Sequence, residues 1–177
     1  MLSVAWAPDS KRISVASYVA PVWDVATGQV IHQLGKRSGI YDVAFSPDPN
    51  SGFLATATSS NTVQVWNALS GLLIVTLEGH TRHVRRVEFS ADGRVLASSA
   101  RDGSVMLWNC ADWSEIALFS GEDTDHLLRP IVFHPSLPMV AMPGLGARVG
   151  SIEIYEYDLK KLVQQPARPS VNTQAQR

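Results

Sequence analysis

The chain has 177 residues, 45% of them hydrophobic and 18% charged, enough to bury roughly 70% of the surface its unfolded form would expose. Its net charge of -1 supplies no global field that would select nucleic acid or membrane as a partner, and no run of about 18 apolar residues is present to span a bilayer. A single cysteine, Cys110, excludes an intrachain disulfide framework and fits a cytoplasmic setting, while the opening MLSVAWAPDSKR lacks the basic-then-apolar order of a secretory signal.

In chain order, one phrase is written three times and a worn fourth time. Val4 to Asp24 reads VAWAPDSKRISVASYVAPVWD, Val43 to Asn67 reads VAFSPDPNSGFLATATSSNTVQVWN, and Val87 to Asn109 reads VEFSADGRVLASSARDGSVMLWN. Trp23, Trp66 and Trp108 close these copies, and Trp6, Phe45, Phe89 and Phe133 open the four units. A period of about 40–45 residues ending in a Trp-Asp-like pair predicts the blades of a β-propeller. The fold class expected is all-β, with four blades of four antiparallel strands over about 2–34, 40–77, 83–119 and 128–158.

The third unit shows the pattern best. Strand a is predicted over His83 to Phe89, b over Val95 to Ser99, c over Val105 to Trp108 and d over Glu115 to Phe119, with Asp-Gly turns at Asp92-Gly93 and Asp102-Gly103. Val84, Val87 and Phe89, like Ile40, Val43 and Phe45, step by three and then by two. One extra residue at a β-bulge would return all three to one face. In the fourth unit, Leu128 to Phe133 fits strand a with one donor lost at Pro130, Met139 to Met142 fits b, and Ser151 to Tyr157 fits c. No clear outer strand follows. The propeller is expected to occupy 1–163, and the Gln-, Pro- and Ser-containing stretch 164–177 reads as a disordered tail or linker.

Gly79-His80 opens the third unit, Ser98 lies in strand b, Asp102 in the b–c turn, and Trp108 ends strand c. Residue by residue this set resembles the WD-repeat (WD40) family. The resemblance implies a non-catalytic scaffold that docks protein partners, without a cofactor or metal. It also implies that His80, Ser98, Asp102 and Trp108 form a buried hydrogen-bonded set in which the serine bridges histidine and tryptophan and the aspartate holds the histidine. The signature continues in Trp23-Asp24 and Trp66-Asn67. The second unit departs from it, with Ser60 in place of the aspartate and Gly35-Lys36 in place of Gly-His, although Thr56 offers a hydroxyl. The fourth keeps none of the polar set and has Tyr155 in place of Trp. Blade 3 is therefore expected to be the most rigid and blade 4 the least.

Family members usually carry seven blades, so four leave three alternatives open. The blades close weakly alone, pair as a homodimer, or are the C-terminal part of a propeller from a multidomain signalling protein. In the last case the chain is a detached sensor half of an NTPase-type protein, and its partners are intramolecular domains.

Other constellations carry less. His80, Ser98 and Asp102 are the residue types of a hydrolase triad, but Ser98 lies mid-strand rather than on a strained turn, and no oxyanion loop accompanies it. Pro143 to Gly150 (PGLGARVG) matches neither the dinucleotide nor the Walker pattern and reads as a b–c loop. His80, His83, His126 and His134 lack the acidic or cysteine companions of a metal site, and Asp123, Asp125 and His126 read as a solvated turn. A cationic run is more informative. Arg82, His83, Arg85, Arg86 and Arg101 belong to one blade, Lys36 and Arg37 to the matching loop before blade 2, and Tyr41 takes the place of Arg85 there. By resemblance these positions face the rim formed by the d–a and b–c loops. Tyr41, Arg82, His83, Arg85 and Arg101 are the candidate partner-binding residues. Interspersed acids, Glu88 and Asp92, argue against nucleic acid.

Overall fold

The computed structural model describes residues 3–35, 39–121, 130–143 and 151–157. Within them the regular structure is entirely β. The first sheet contains β1 (Val4–Trp6), β2 (Arg12–Val15), β3 (Ala20–Asp24) and β4 (Val30–Leu34). The second contains β5 (Ile40–Phe45), β6 (Phe53–Thr58), β7 (Val63–Asn67) and β8 (Leu73–Leu77). The third contains β9 (Val84–Phe89), β10 (Val95–Ala100), β11 (Val105–Asn109) and β12 (Glu115–Phe119). The fourth holds three strands among the described residues, β13 (Val132–Phe133), β14 (Met139–Pro143) and β15 (Ile152–Glu156). Each sheet is an antiparallel meander, one blade of a propeller. The first strands β1, β5, β9 and β13 adjoin one another in turn and form the inner edge.

Of the strand expected from Leu128 to Phe133, the described residues place Val132–Phe133 in the ladder, while Pro130 has no N–H to donate and Ile131 serves as a buried plug ahead of it. Leu128 lies outside the described residues, as do Lys36, Arg37, Asp123, Asp125, His126, Gly144 to Gly150 and the stretch 164–177.

Hairpin chemistry repeats with the sequence. In the a–b turns, Asp9, Asp48 and Asp92 accept from the backbone N–H of Lys11, Asn50 and Arg94 at 2.9, 2.9 and 3.1 Å. In the c–d turns, the residue after each Trp does the same. Asp24 accepts from Thr27 N–H at 2.8 Å, Asn67 from Leu69 at 2.9 Å, and Asn109 from Ala111 at 3.1 Å. The signature position therefore takes Asp or Asn because a short side chain must close this turn on its own backbone. The same turn demands positive φ four residues on, supplied by Gly28 and Gly71 and, at φ 62°, by Trp113.

Packing is blade on blade. Each blade has a forward face toward the next blade and a backward face toward the previous one. Ala20, Val22 and Leu34 of blade 1 meet Ile40, Val43, Leu54 and Trp66 of blade 2. Ala55, Val63, Val65 and Leu77 of blade 2 meet Val84, Val87, Phe89, Leu96 and Trp108 of blade 3. Val95, Val105, Leu107 and Phe119 of blade 3 meet Ile131, Phe133, Val140, Met142 and Tyr155 of blade 4. Three apolar layers thus join four blades. Among the described residues, no layer joins blade 4 back to blade 1, so the blades form an open arc.

Candidate functional site

Blade 3 is braced by a chain of side-chain hydrogen bonds. Trp108 Nε1–H donates to Ser98 Oγ at 3.0 Å, and Ser98 Oγ lies 2.8 Å from His80 Nε2. His80 Nδ1 lies 2.7 Å from Ser104 Oγ, and Ser104 Oγ–H donates to Asp102 Oδ1 at 2.5 Å. Donor arithmetic fixes the direction. An ionised Asp102 only accepts, so the Ser104 proton goes to it. Ser104 Oγ then accepts from His80 Nδ1–H, leaving Nε2 bare to accept from Ser98 Oγ–H. The indole N–H only donates, which completes a one-way relay from Trp108 to Asp102.

Ser104 is the member that sequence reasoning missed. The aspartate is expected to hold the histidine; its Oδ2 lies 3.5 Å from Nδ1, and a closer contact runs through Ser104. The available signal was Ser104 immediately after the Asp102-Gly103 turn, where its backbone N–H closes an Asx turn on Asp102 Oδ1 and its hydroxyl donates to the same oxygen. The ionisation states fit the relay. Burial holds His80 below the ordinary histidine value, with Asp102 pulling the other way. Burial opposes the charge on Asp102, but the bonds from Ser104 and Thr81 outweigh it and hold the carboxyl below its usual range. Ser98 is fully buried, with His80 and Trp108 on its hydroxyl and no approach for a substrate.

The other blades hold fragments of this relay. In blade 2, Trp66 Nε1–H donates to Thr56 Oγ1 at 3.2 Å, and Thr56 passes its own proton to the carbonyl of Gln64. In blade 4 the register pairs Tyr155 with Val140 as it pairs Trp108 with Leu96, so Tyr155 occupies the tryptophan slot and Met142 the serine slot. Tyr155 bonds Glu153 on its own strand instead. In blade 1, Trp23 sits at the same register but is partly exposed.

The relay supports the rim. Asp102 Oδ2 accepts from Thr81 N–H at 2.7 Å, fixing the d–a segment, and Arg101 N–H donates to the carbonyl of His83 at 3.0 Å. Asn61 of blade 2 reaches the carbonyl of Thr81 at 3.1 Å and ties the two blades at that end. The bulges lie here. In β9, Val84 pairs with Ala100 and Arg86 with Ser99, so Arg85 is the unpaired residue. In β5, Ile40 pairs with Thr58 and Asp42 with Ala57, so Tyr41 is unpaired. Both side chains are thereby turned out of the ladder onto one ledge. Arg85 Cζ stands 4.1 Å above the Tyr41 ring. His83 stacks on Tyr41 with ring centroids 5.8 Å apart, and Tyr41 Oη lies 3.3 Å from His83 Nδ1. Arg101 lies on the adjacent b–c turn and Arg82 is exposed one residue before His83. Among the described residues, neither Arg85 nor Arg101 is paired with a carboxylate.

Arg86 and Glu88 leave the rim for the wall of the inner edge. Buried Asp42 accepts from Val87 N–H of the next blade at 3.1 Å, with Arg86 Nε 3.5 Å away. One blade on, Glu88 accepts from Phe133 N–H at 3.3 Å. Carboxylates of one inner strand thus cap free donors of the next. Burial pushes the Glu88 carboxyl up, partly offset by Phe133 and Arg86. Cys110, half-buried, has its thiol pushed up to about 12 by burial, which makes it inert as a nucleophile at neutral pH. The described residues contain no group of three or more His, Cys, Asp or Glu placed to hold a metal, and no helix long and apolar enough to cross a membrane.

Four-stranded meanders packed radially, with a Trp-Ser-His-Ser-Asp relay inside one of them, define a β-propeller of the WD class. The WD domain, G-beta repeat family matches residues 28–67 and 71–109. These matches run from β4 to β7 and from β8 to β11, so each sequence repeat begins with the outer strand of one blade and ends in the third strand of the next. Over these two segments the chain is similar to the WD-repeat family. It is 29% identical over 137 residues to small ribosomal subunit protein RACK1y of Oryza sativa subsp. japonica, a match that covers 77% of this chain and 38% of that protein. Periodic tryptophan protein 2 of Arabidopsis thaliana is 38% identical over 89 residues, covering 50% of this chain and 10% of that protein. Apoptotic protease-activating factor 1 of Danio rerio is 37% identical over 105 residues, covering 58% and 8%. The chain therefore spans less than two fifths of each of these three relatives.

Proposed function

We propose that the chain is a non-catalytic protein-interaction module that docks a partner on the rim between blades 2 and 3, where Tyr41, His83, Arg85, Arg101 and Arg82 form the contact. The reading is carried by one observation: two bulges hold the Arg85 guanidinium 4.1 Å over Tyr41 with no carboxylate on it among the described residues. An arginine stacked in this way is pre-organised, so little side-chain entropy remains to be lost on binding. Its N–H fork suits a carboxylate, and Arg101 beside it adds charge of the same sign. The partner is thus a protein segment carrying acidic side chains.

Fluorescence anisotropy with a glutamate-rich probe peptide tests this reading. Arg85→Ala and Tyr41→Ala are expected to weaken binding by about 30-fold, the loss of a hot-spot residue. Arg94→Ala, in the a–b turn away from the rim, should leave it unchanged. Binding that Arg85→Ala and Tyr41→Ala do not alter would remove the rim from the account.

A second reading is supported by the match to apoptotic protease-activating factor 1 together with the open arc. Here the blades are the sensor part of a longer NTPase-type signalling protein and dock other domains of that protein. A Walker-type motif in frame beyond Arg177 would favour it over the free-standing scaffold.

A further inference from the structure

We propose that Asn61, in the b–c turn of blade 2, is a positioning residue for the rim, setting the seam across which Tyr41 of one blade meets His83 and Arg85 of the next. This role rests on the rim reading above and names the residue that keeps the ledge assembled before a partner arrives.

The b–c turns of blades 2 and 3 match. Thr58 N–H donates to the carbonyl of Thr62 as Ala100 N–H donates to that of Ser104, both at 3.1 Å. Asn61 therefore stands where blade 3 has Gly103. Both backbones are left-handed, with φ 65° at Asn61 and 79° at Gly103. Glycine is favoured in that conformation, and asparagine is one of the few other residues that visit it readily. A glycine would complete the turn; asparagine completes it and adds an amide. That amide acts outside its own blade. A carbonyl oxygen only accepts, so Asn61 Nδ2–H donates to Thr81 O, at 3.1 Å.

Thr81 opens the Thr81-Arg82-His83 segment that leads into β9. Blade 3 holds this segment from its own side, through Asp102 on Thr81 N–H at 2.7 Å and Arg101 N–H on the carbonyl of His83 at 3.0 Å. Neither bond fixes the segment relative to blade 2. The Asn61 bond does, because it joins the same backbone to the blade that carries Tyr41. Further down the seam, Asp42 of blade 2 accepts from Val87 N–H at 3.1 Å. His83 and Arg85 lie in the chain between Thr81 and Val87, the two backbone positions tied to blade 2. The stack of His83 on Tyr41 at 5.8 Å and the seat of Arg85 at 4.1 Å over the same ring both need a constant separation of the two backbones. The Asn61 bond is exposed, so its effect is expected on the assembly of the ledge more than on the fold.

Asn61→Gly removes the amide and keeps the backbone conformation. The glutamate-rich peptide of the anisotropy measurement is the probe. Its affinity is expected to fall about fivefold, one hydrogen bond read as a ratio, with the circular dichroism spectrum unchanged. In the Arg85→Ala background the same substitution should change affinity by less than about twofold, because Asn61 acts through the ledge and not on the peptide. In the chain without peptide, the nuclear magnetic resonance signals of the His83 ring protons should move in Asn61→Gly as the imidazole leaves the face of Tyr41. If Asn61→Gly disturbs the fold, Asn61→Asp, which tolerates the same φ and cannot donate, takes its place in that measurement. Affinity that Asn61→Gly leaves unchanged while Arg85→Ala lowers it would overturn the proposal and leave the rim reading standing. An equal loss in both backgrounds would make Asn61 a direct contact and overturn it as well, and so would His83 signals that do not move. Failure of the rim reading has a separate signature, binding that Arg85→Ala itself does not weaken, and the proposal would fall with it.

Discussion

Blades 3 and 4 occupy equivalent places in the repeat and share the same meander, yet they are held together differently. Blade 3 has a polar relay through its middle, apolar layers on both faces, and a rim strapped down by Asp102 and Arg101. Blade 4 substitutes Met142 and Tyr155 in the relay slots, begins its ladder late, and is covered on one face among the described residues. The backbone arrangement of a blade thus survives loss of the polar set, since Met and Tyr fill the same space. What the relay adds is a fixed geometry for the loops at the rim, and the rim ledge is found beside the blade that keeps it. A fully satisfied buried network specifies one arrangement, whereas an apolar one tolerates several.

Three substitutions and conditions sharpen that contrast. The largest effect is expected from Trp108→Ala, at about 3–5 kcal/mol, because the indole is both relay donor and a main filler of the layer between blades 2 and 3. Urea unfolding should show the loss, and hydrogen exchange should show it in both blades. Tyr155→Ala, in the corresponding slot of blade 4, should cost less, and a larger loss there than at Trp108 would reverse the ranking of the two blades.

Ser98→Ala comes next, at about 1–3 kcal/mol, since it leaves the Trp108 N–H and one His80 ring nitrogen without partners inside the core. Thr56→Val in blade 2 strands the Trp66 indole N–H and removes the bond to the Gln64 carbonyl, but leaves no buried histidine nitrogen without a partner, and should cost less than Ser98→Ala. Matched urea midpoints for the pair measure the difference, and equal losses would mean that the histidine arm of the relay contributes nothing.

The smallest effect is on pH dependence. The folded chain prefers neutral His80, so the unfolded chain takes up its proton first as the pH falls. The His80 contribution to stability is complete above pH 6.5 and declines as the pH falls through that value toward the depressed folded one. Asp102 has the same sign at lower pH. Its contribution is present above 3.8 and is lost as the pH falls through its depressed folded value. Urea midpoints for wild type and His80→Ala across these two windows should differ in slope just below pH 6.5. Parallel curves would show that His80 is not held neutral by the fold.

Much of this was legible in the sequence. The recurrence of Trp6, Phe45, Phe89 and Phe133 implied four blades, Asp-Gly turns implied the hairpins of blade 3, and the uneven apolar spacing at Ile40-Val43-Phe45 and Val84-Val87-Phe89 implied the bulges that the register shows. Those bulges are why Tyr41 and Arg85, 44 positions apart in the chain, meet on one ledge. Ser104 was not legible because a serine after Asp-Gly reads equally well as an ordinary turn residue. Its insertion between His80 and Asp102 depends on the distance across the folded blade. The outer-strand bulges that leave Ile31, Ile74 and Ile116 unpaired were also invisible, because strand d is read from alternation and one extra residue there changes no motif. Arg86 and Glu88 looked like rim charges, but the pleat turns them to the inner edge, where they meet Asp42 and Phe133.

Hydrogen exchange read blade by blade tests the central claim most directly, that the relay makes blade 3 the fixed point of the arc. The amides of Ser98, Met106 and Trp108 are expected to be the last to exchange and those of Val140, Ile154 and Tyr155 among the first, with blade 2 between. Uniform protection across the four blades, or slower exchange in blade 4 than in blade 3, would contradict the account.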